Sequence, residues 1–226
     1  LLKNCGTHVP FSPSFDYFNN IFKPMAEKIG LKFDIILKSP GFFPVGGGEM
    51  QLIVNPHDEI KPLNVLERGK LISIEVFSTA SRLPLVAQKQ AIALKAELNE
   101  IAKGIPVKVS LKDFNSKSKG SSLLLKAVFE NSIAGFSSLG APGKTSEQVA
   151  LECLELFEEF LSAKDAFDVH LQDQLLLPLA FATGESSFRV EKLSLHSQTN
   201  LLILKEFLNL DFSHSNGVLK IVGKNL

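Results

Sequence analysis

The chain has 226 residues, of which 45 % are apolar and 21 % are charged, and its 24 Lys and Arg balance 24 Asp and Glu. This composition excludes a disordered chain, and it lacks the basic excess of proteins that coat nucleic acid or anionic membranes. Two cysteines are too few for a disulfide scaffold. No apolar run of about 18 residues predicts a membrane span, and no secretion signal is recognised. We therefore expect a cytoplasmic protein without a membrane partner, and, because it starts at Leu1 rather than Met, a fragment of a longer chain.

The first predicted element is an amphipathic helix whose apolar residues recur at spacings of three and four: Phe15, Phe18, Phe22, Met25 and Ile29. Ser14 is placed as its N-cap, and Gly30 directly follows its end. Pro24 lies inside the helix and should bend it. Strands at residues 31–38 and 49–54 follow, so this unit has the order helix, strand, strand.

The connection between these two strands contains Gly46-Gly47-Gly48, which allows two interpretations. The unhindered amides could cradle an anion, or the glycines could form a hairpin turn that needs positive φ angles.

Residues 67–162 are predicted to form an inserted α/β domain between two parts of a larger domain, residues 1–66 and 163–226. Its last helix opens with a capping box between Thr145 and Gln148, and the inner face of that helix is Val149, Cys153, Phe157 and Phe160. We expect few contacts between the insert and its flanks. We also expect a mobile loop at residues 112–120 with three basic side chains: Lys112, Lys117 and Lys119.

Residues 167–184 contain a helix that is apolar on nearly every side, which predicts that it is buried. Helical spacing nevertheless places His170, Asp173 and Gln174 on one face near its start. Buried polar groups need partners. Either these three side chains cap and anchor the helix, or they form the wall of a binding pocket.

His196 lies just before the N-terminus of the last predicted helix, residues 198–208. The partial positive charge of a helix N-terminus favours a neutral, nucleophilic imidazole, and the free amides there attract phosphate. The alternative is an exposed histidine that only makes a hydrogen bond in its loop. Strands at residues 210–212 and 218–222 follow this helix, so the order helix, strand, strand recurs and an internal repeat is predicted.

Several motifs together resemble the RNA 3′-terminal phosphate cyclase family in order and spacing. The two most specific stretches are GFFPVGGGE at residues 41–49 and HLQDQLLLP at residues 170–178. The other matching residues are Gly6-Thr7, Pro13, Phe15-Asp16-Tyr17, Ser137-Ser138-Leu139-Gly140 as a turn, Gly143-Lys144, Leu195-His196 and Thr199-Asn200. The resemblance implies a mixed α/β (α+β) fold of repeated units like those in the C-terminal domain of translation initiation factor three, with a smaller inserted domain.

The resemblance also implies a function. It indicates a ligase-class enzyme of RNA processing that uses ATP and a divalent metal, Mg²⁺ or Mn²⁺, to convert an RNA 3′-terminal phosphate into a 2′,3′-cyclic phosphodiester. The family nucleophile, which forms a covalent histidine–AMP intermediate, maps onto His196. The family's adenosine contacts map onto His170, Leu171, Gln172, Asp173, Gln174, Pro13 and Tyr17. The metal-binding acid of the family maps outside this chain.

Two alternatives are a non-catalytic relative that acts as a scaffold in ribosome biogenesis and an inactive fragment. The natural RNA and the oligomeric state are left open.

Overall fold

The computed structural model describes residues 1–56 and 59–224 and has a mixed α/β fold with three sheets. No helix in these residues is long and apolar enough to cross a bilayer. The strands are β1 Leu2–Cys5, β2 Lys32–Ser39, β3 Gly48–Asn55, β4 Asn64–Val65, β5 Leu71–Ser81, β6 Val107–Phe114, β7 Gly120–Phe129, β8 Ile133–Leu139, β9 Glu185–Arg189, β10 Asp211–Ser215 and β11 Val218–Val222. The helices are α1 Phe15–Tyr17, α2 Lys23–Lys28, α3 Val86–Ile101, α4 Ser146–Ser162, α5 Val169–Ala180 and α6 Leu195–Leu208.

The first helix contains a π-helical turn, Phe18–Phe22, between α1 and α2. Ser14 is its N-cap, as predicted, because the Ser14 Oγ accepts a hydrogen bond from the Tyr17 amide at 3.2 Å. Gly30 follows the helix with a φ of 104°. Pro24 has no amide proton, and its ring crowds the carbonyl four residues earlier. The π turn ends two residues before Pro24, so the helix is irregular beside this proline, while the bend itself stays a prediction.

Both helix–strand–strand units are present. After α2, strands β2 and β3 pair antiparallel, and β1 adds to β3 to give the order β1-β3-β2. After α6, strands β10 and β11 pair antiparallel in a sheet of order β10-β11-β9-β4. The likeness of these units to translation initiation factor three stays a prediction.

The insert is a four-stranded sheet of order β6-β5-β7-β8 with α3 and α4 against one face. The capping box of Thr145 and Gln148 is confirmed, and the four residues predicted for the inner face of α4 are all buried. The turn predicted at Ser137-Ser138-Leu139-Gly140 is wrong for its first three residues, which belong to β8. These three residues pair with β7 across the β7–β8 hairpin, and the local sequence does not predict this pairing.

The loop expected at residues 112–120 is shorter than predicted and is fastened to its surroundings. Strand β6 continues to Phe114 because it pairs with β5 up to Ser81. Ser118 is buried, and its Oγ accepts a hydrogen bond from the Phe42 amide at 2.7 Å.

The insert also contacts the rest of the chain more closely than its sequence predicts. Leu123 and Leu125 face the insert's own core, whereas Leu124, between them on β7, belongs to the core of the larger part. A Cβ at Gly135 would lie 2.5 Å from the Ile21 Cγ1, so the first helix lies directly on the sheet of the insert. The expectation of few contacts is therefore wrong, while the boundaries at 66/67 and 162/163 stay predictions.

Candidate active site

His196 lies in the first turn of α6, which begins three residues earlier than predicted. Ser194 is the N-cap, because its Oγ accepts a hydrogen bond from the Ser197 amide at 3.0 Å. The two preceding amides, of Leu195 and His196, have no partner among the described residues. His196 is exposed. The structure thus confirms that this histidine stands at a helix N-terminus, beside amides that can receive a phosphate oxygen.

The start of α5 divides into a surface side and a core side. His170 is exposed, and Asp173 and Gln174 are half-buried, so these three share a face as their spacing predicts. Leu171 and Gln172 are buried and face the core. The Gln172 Nε2 donates a hydrogen bond to the Phe167 carbonyl at 2.8 Å.

Helices α5 and α6 are joined at this face by a hydrogen bond from the Asn200 Nδ2 to the Asp173 Oδ1. Asn200 lies four residues after His196, so both project from the same side of α6. The structure therefore brings Asp173 onto the side of α6 that carries the candidate nucleophile. Asp173 does anchor its helix, but none of the three face residues caps it.

The cap of α5 is Asp168, a residue that the sequence analysis did not single out. Its Oδ1 accepts hydrogen bonds from the amides of His170 and Leu171, at 3.0 and 3.1 Å. Its Oδ2 accepts one from the Gly135 amide of the insert at 3.0 Å. An Asp directly before a helix is a typical N-cap, and this signal could have found it.

Tyr17 completes the set of groups around this carboxylate. Its hydroxyl donates a hydrogen bond to the Asp168 Oδ1 at 2.6 Å. Both residues are buried. Burial raises the pKa of the Asp168 carboxyl above its ordinary value, although its hydrogen bonds oppose this rise. Burial and the nearby carboxylate raise the pKa of Tyr17 well above 10.0.

The residues expected to flank an adenine base occupy different environments. Pro13 is exposed, whereas Tyr17 is only 1 % exposed. The Tyr17 ring meets the His170 ring edge to face, with 6.1 Å between the ring centroids. The Tyr17 ring therefore packs against the His170 ring from the core side, whereas His170 and Pro13 are exposed to solvent.

A second buried carboxylate, Asp16, joins the N-terminal segment to the insert, and the sequence analysis named it only within a matching motif. Its Oδ2 accepts a hydrogen bond from the Thr79 hydroxyl at 2.7 Å and lies 3.3 Å from the His8 Nε2. The Lys112 ammonium lies 3.4 Å from its Oδ1. Burial alone would raise the pKa of Asp16, but these partners together hold it below 3.8. Lys112 was expected in a mobile loop, but it lies in β6 and its ammonium group pairs with the Asp16 carboxylate.

The described residues contain no cluster of three His, Cys, Asp or Glu side chains that could hold a metal ion. The divalent metal implied by the family resemblance stays a prediction, since Mg²⁺ is commonly held by one or two carboxylates together with substrate phosphates. We derive no step through a metal.

A family model described as RNA 3′-terminal phosphate cyclase matches residues 4–214. The chain belongs to the RNA 3′-terminal phosphate cyclase family. Relatives named RNA 3′-terminal phosphate cyclase include those of Hyperthermus butylicus, 36 % identical over 88 % of this chain, and Trichormus variabilis, 35 % identical over 89 %. That of Saccharolobus solfataricus is 35 % identical over 90 %.

The matched region of this cyclase-family chain covers 58 % of the length of the first two relatives and 60 % of the third. The family match includes both helix starts described above, that of α5 with Asp168 and that of α6 with His196. The candidate nucleophile and the polar face of α5 therefore lie in the part of the chain that carries the family likeness.

Proposed function

We propose that this chain carries the adenylate-transfer site of an RNA 3′-phosphate cyclase, a ligase-class activity that uses ATP. In this proposal an RNA 3′-terminal phosphate is converted into a 2′,3′-cyclic phosphodiester through a covalent AMP adduct on His196. The observation that carries it is the exposed imidazole in the first turn of α6, beside two unpartnered amides, in a chain of this family.

In the first step a ring nitrogen of His196 attacks the α-phosphorus of ATP. A phosphorus–nitrogen bond forms, the bond from the α-phosphorus to the bridging oxygen breaks, and pyrophosphate leaves with the electron pair. The attacking ring nitrogen must carry a free electron pair, and the exposed His196 ring can be reached by the triphosphate. The same amides can hold a phosphate oxygen while charge moves to the leaving group.

In the second step an oxygen of the RNA 3′-phosphate attacks the adduct, the phosphorus–nitrogen bond breaks, and a phosphoanhydride to AMP forms. In the third step the neighbouring 2′-hydroxyl attacks the 3′-phosphorus, loses its proton and expels AMP, which closes the cyclic phosphodiester. The adduct keeps the reactivity of the ATP anhydride, so one difficult dehydration becomes three feasible transfers.

The surface side of α5 is proposed to receive the adenosine of ATP. The exposed His170 ring can stack on the base, and the Asp173 carboxylate and Gln174 amide can meet ribose or base edges. Pro13 is proposed as a further base contact from the N-terminal segment. Leu171, Gln172 and Tyr17 support this face from the core side, since all three are buried.

The test is labelling of the 226-residue chain with ATP carrying a radioactive α-phosphate, in buffer with Mg²⁺ or Mn²⁺. We expect an adduct that is stable in alkali and lost in acid, as a phosphoramidate is. His196→Ala should abolish it. His214→Ala is the matched control, because that histidine lies on β10 with its Nε2 at the Val190 carbonyl, and it should leave labelling unchanged.

Labelling that survives His196→Ala would refute the assignment of the nucleophile. A folded chain that takes up no label at all would favour the two alternatives, a scaffold in ribosome biogenesis or an inactive fragment. A cytoplasmic location stays a prediction of the composition.

A further inference from the structure

Three loops meet on one side of the molecule and are fastened to one another. The Gly41 carbonyl accepts hydrogen bonds from the amides of Thr7 and His8, at 2.9 and 3.0 Å. The Phe42 amide donates to the Ser118 Oγ at 2.7 Å. We call this the three-loop surface, and it consists of residues 6–13, 40–47 and 115–119. Gly46 and Gly47 have φ angles of 63° and 74°, so this part of the connection is the turn between β2 and β3 that the sequence analysis considered.

Two aromatic rings of the three-loop surface project into solvent. Phe11 is fully exposed, and its backbone lies in the left-handed region with a φ of 62°. Phe43 is 69 % exposed. The adjacent Phe42 behaves differently, because it is buried and stacks on His8 with 5.0 Å between ring centroids. Phe42 therefore fixes the loop to the fold, whereas the rings of Phe11 and Phe43 are open to solvent.

Basic side chains lie at the same place. A Cβ at Gly47 would lie 3.2 Å from the Lys117 Cβ, so the stem of Lys117 lies against the glycine turn. The Arg82 guanidinium donates a hydrogen bond to the Lys117 carbonyl at 3.3 Å. Lys119 follows two residues later, and all three side chains are exposed. The ion pairs between described residues include none of these three cations.

We propose that the three-loop surface binds the single-stranded RNA of the substrate. Bases stack on Phe11 and Phe43, and Lys117, Lys119 and the neighbouring Arg82 contact the phosphates. Aromatic rings next to cations are the combination by which proteins hold single-stranded nucleic acid, because every base has a face to stack and every nucleotide a phosphate. Because the formal net charge of the chain is zero, a local cluster of cations is needed to attract the phosphates of the RNA. The proposal rests on the proposed function, which supplies the RNA.

The stacking part of the proposal is tested by fluorescence anisotropy with the 226-residue chain and no ATP. The probe is a labelled RNA of about ten nucleotides that ends in a 3′-phosphate. Phe11→Ala and Phe43→Ala should each weaken binding about fivefold or more. Phe207→Ala is the matched control, since this ring is 84 % exposed on α6, and it should leave the affinity unchanged.

The phosphate contacts are tested by the salt dependence of the same binding. Lys117→Gln should reduce the slope of log affinity against log salt concentration by about 0.7, the value for one phosphate contact on a single strand. Lys103→Gln is the control, because the Lys103 side chain is 75 % exposed. It follows the C-terminal end of α3, whereas Arg82 precedes the N-terminal end of that helix. This control should leave the slope as it is.

Variants at Phe11, Phe43 and Lys117 that bind like their controls would overturn this surface and leave the proposed function standing. An unaltered chain that binds no RNA at low salt would instead contradict both. An equal affinity for a peptide or a vesicle of anionic lipid, lost in the same variants, would show that the surface serves another partner.

Discussion

Asp168→Ala should be among the most damaging single substitutions in this chain. It removes the acceptor of four hydrogen bonds, from the Tyr17 hydroxyl and from the amides of Gly135, His170 and Leu171. Loss of the cap costs about 1 kcal/mol. Each buried donor left without a partner costs about 1–3 kcal/mol. Relief of the carboxylate's desolvation, the cause of its raised pKa, offsets part of this sum. We expect a loss of about 3–5 kcal/mol in the free energy of unfolding.

Two milder variants separate the contributions. Asp168→Asn keeps one acceptor oxygen for Tyr17 and the α5 amides, but its NH₂ group would face the Gly135 amide. A loss of about 1–2 kcal/mol is expected. Tyr17→Phe removes one hydrogen bond to a carboxylate and should cost a similar amount. Since Tyr17 and Asp168 contact each other, the double variant Tyr17→Phe with Asp168→Ala should be less destabilised than the sum of its single changes.

The measurement is urea unfolding followed by circular dichroism, with Asp173→Ala as the matched control. Asp173 is half-buried and accepts one hydrogen bond from Asn200, so its loss should cost less than about 1 kcal/mol. An Asp168→Ala chain no less stable than the Asp173→Ala chain would refute the reasoning. So would strict additivity in the double variant, since it would mean that the Tyr17 contact contributes nothing.

The same Asp173→Ala variant should weaken ATP binding in isothermal titration calorimetry, because the proposed role of this carboxylate is contact with adenosine. Unchanged ATP affinity together with lowered stability would show that Asp173 only stabilises the fold, through its hydrogen bond with Asn200. Asp16→Asn should cost about 1–3 kcal/mol at about pH 5, since it weakens the bonds of a buried carboxylate to three partners. Because the pKa of Asp16 is lowered in the folded chain, its contribution is present above the unfolded pKa of about 3.9 and is lost as pH falls through the folded pKa. The difference from the unaltered chain, measured by urea unfolding, should shrink below about pH 4, and a constant difference down to about pH 3 would contradict this.

The sequence determined the features that arise from contacts between near neighbours. The Ser14 cap, the Thr145–Gln148 capping box and the apolar stripe of α4 all depend on residues within a few turns of one another. The position of His196 at a helix start depends on such local bonds too, although the structure moves that start back to Leu195 because Ser194 acts as the cap. The GFFPVGGGE and HLQDQLLLP stretches, together with the other matching motifs, indicated the family, which the family match confirms.

Only the tertiary structure decided what joins the parts of the chain. Tyr17 and Asp168 lie 151 residues apart in sequence, and Asp16 and Thr79 lie 63 apart. No periodicity records such pairs, because only folding places α1 against the start of α5 and against β5. Strands β1, β4, β8 and β9 were also not predicted, and each pairs with a strand that is distant or separated by a turn in the sequence. The helices follow from local hydrogen bonding and side-chain periodicity, and so does the Asp168 cap, whereas the bonds of both buried carboxylates to distant donors form only because folding brings those donors to them.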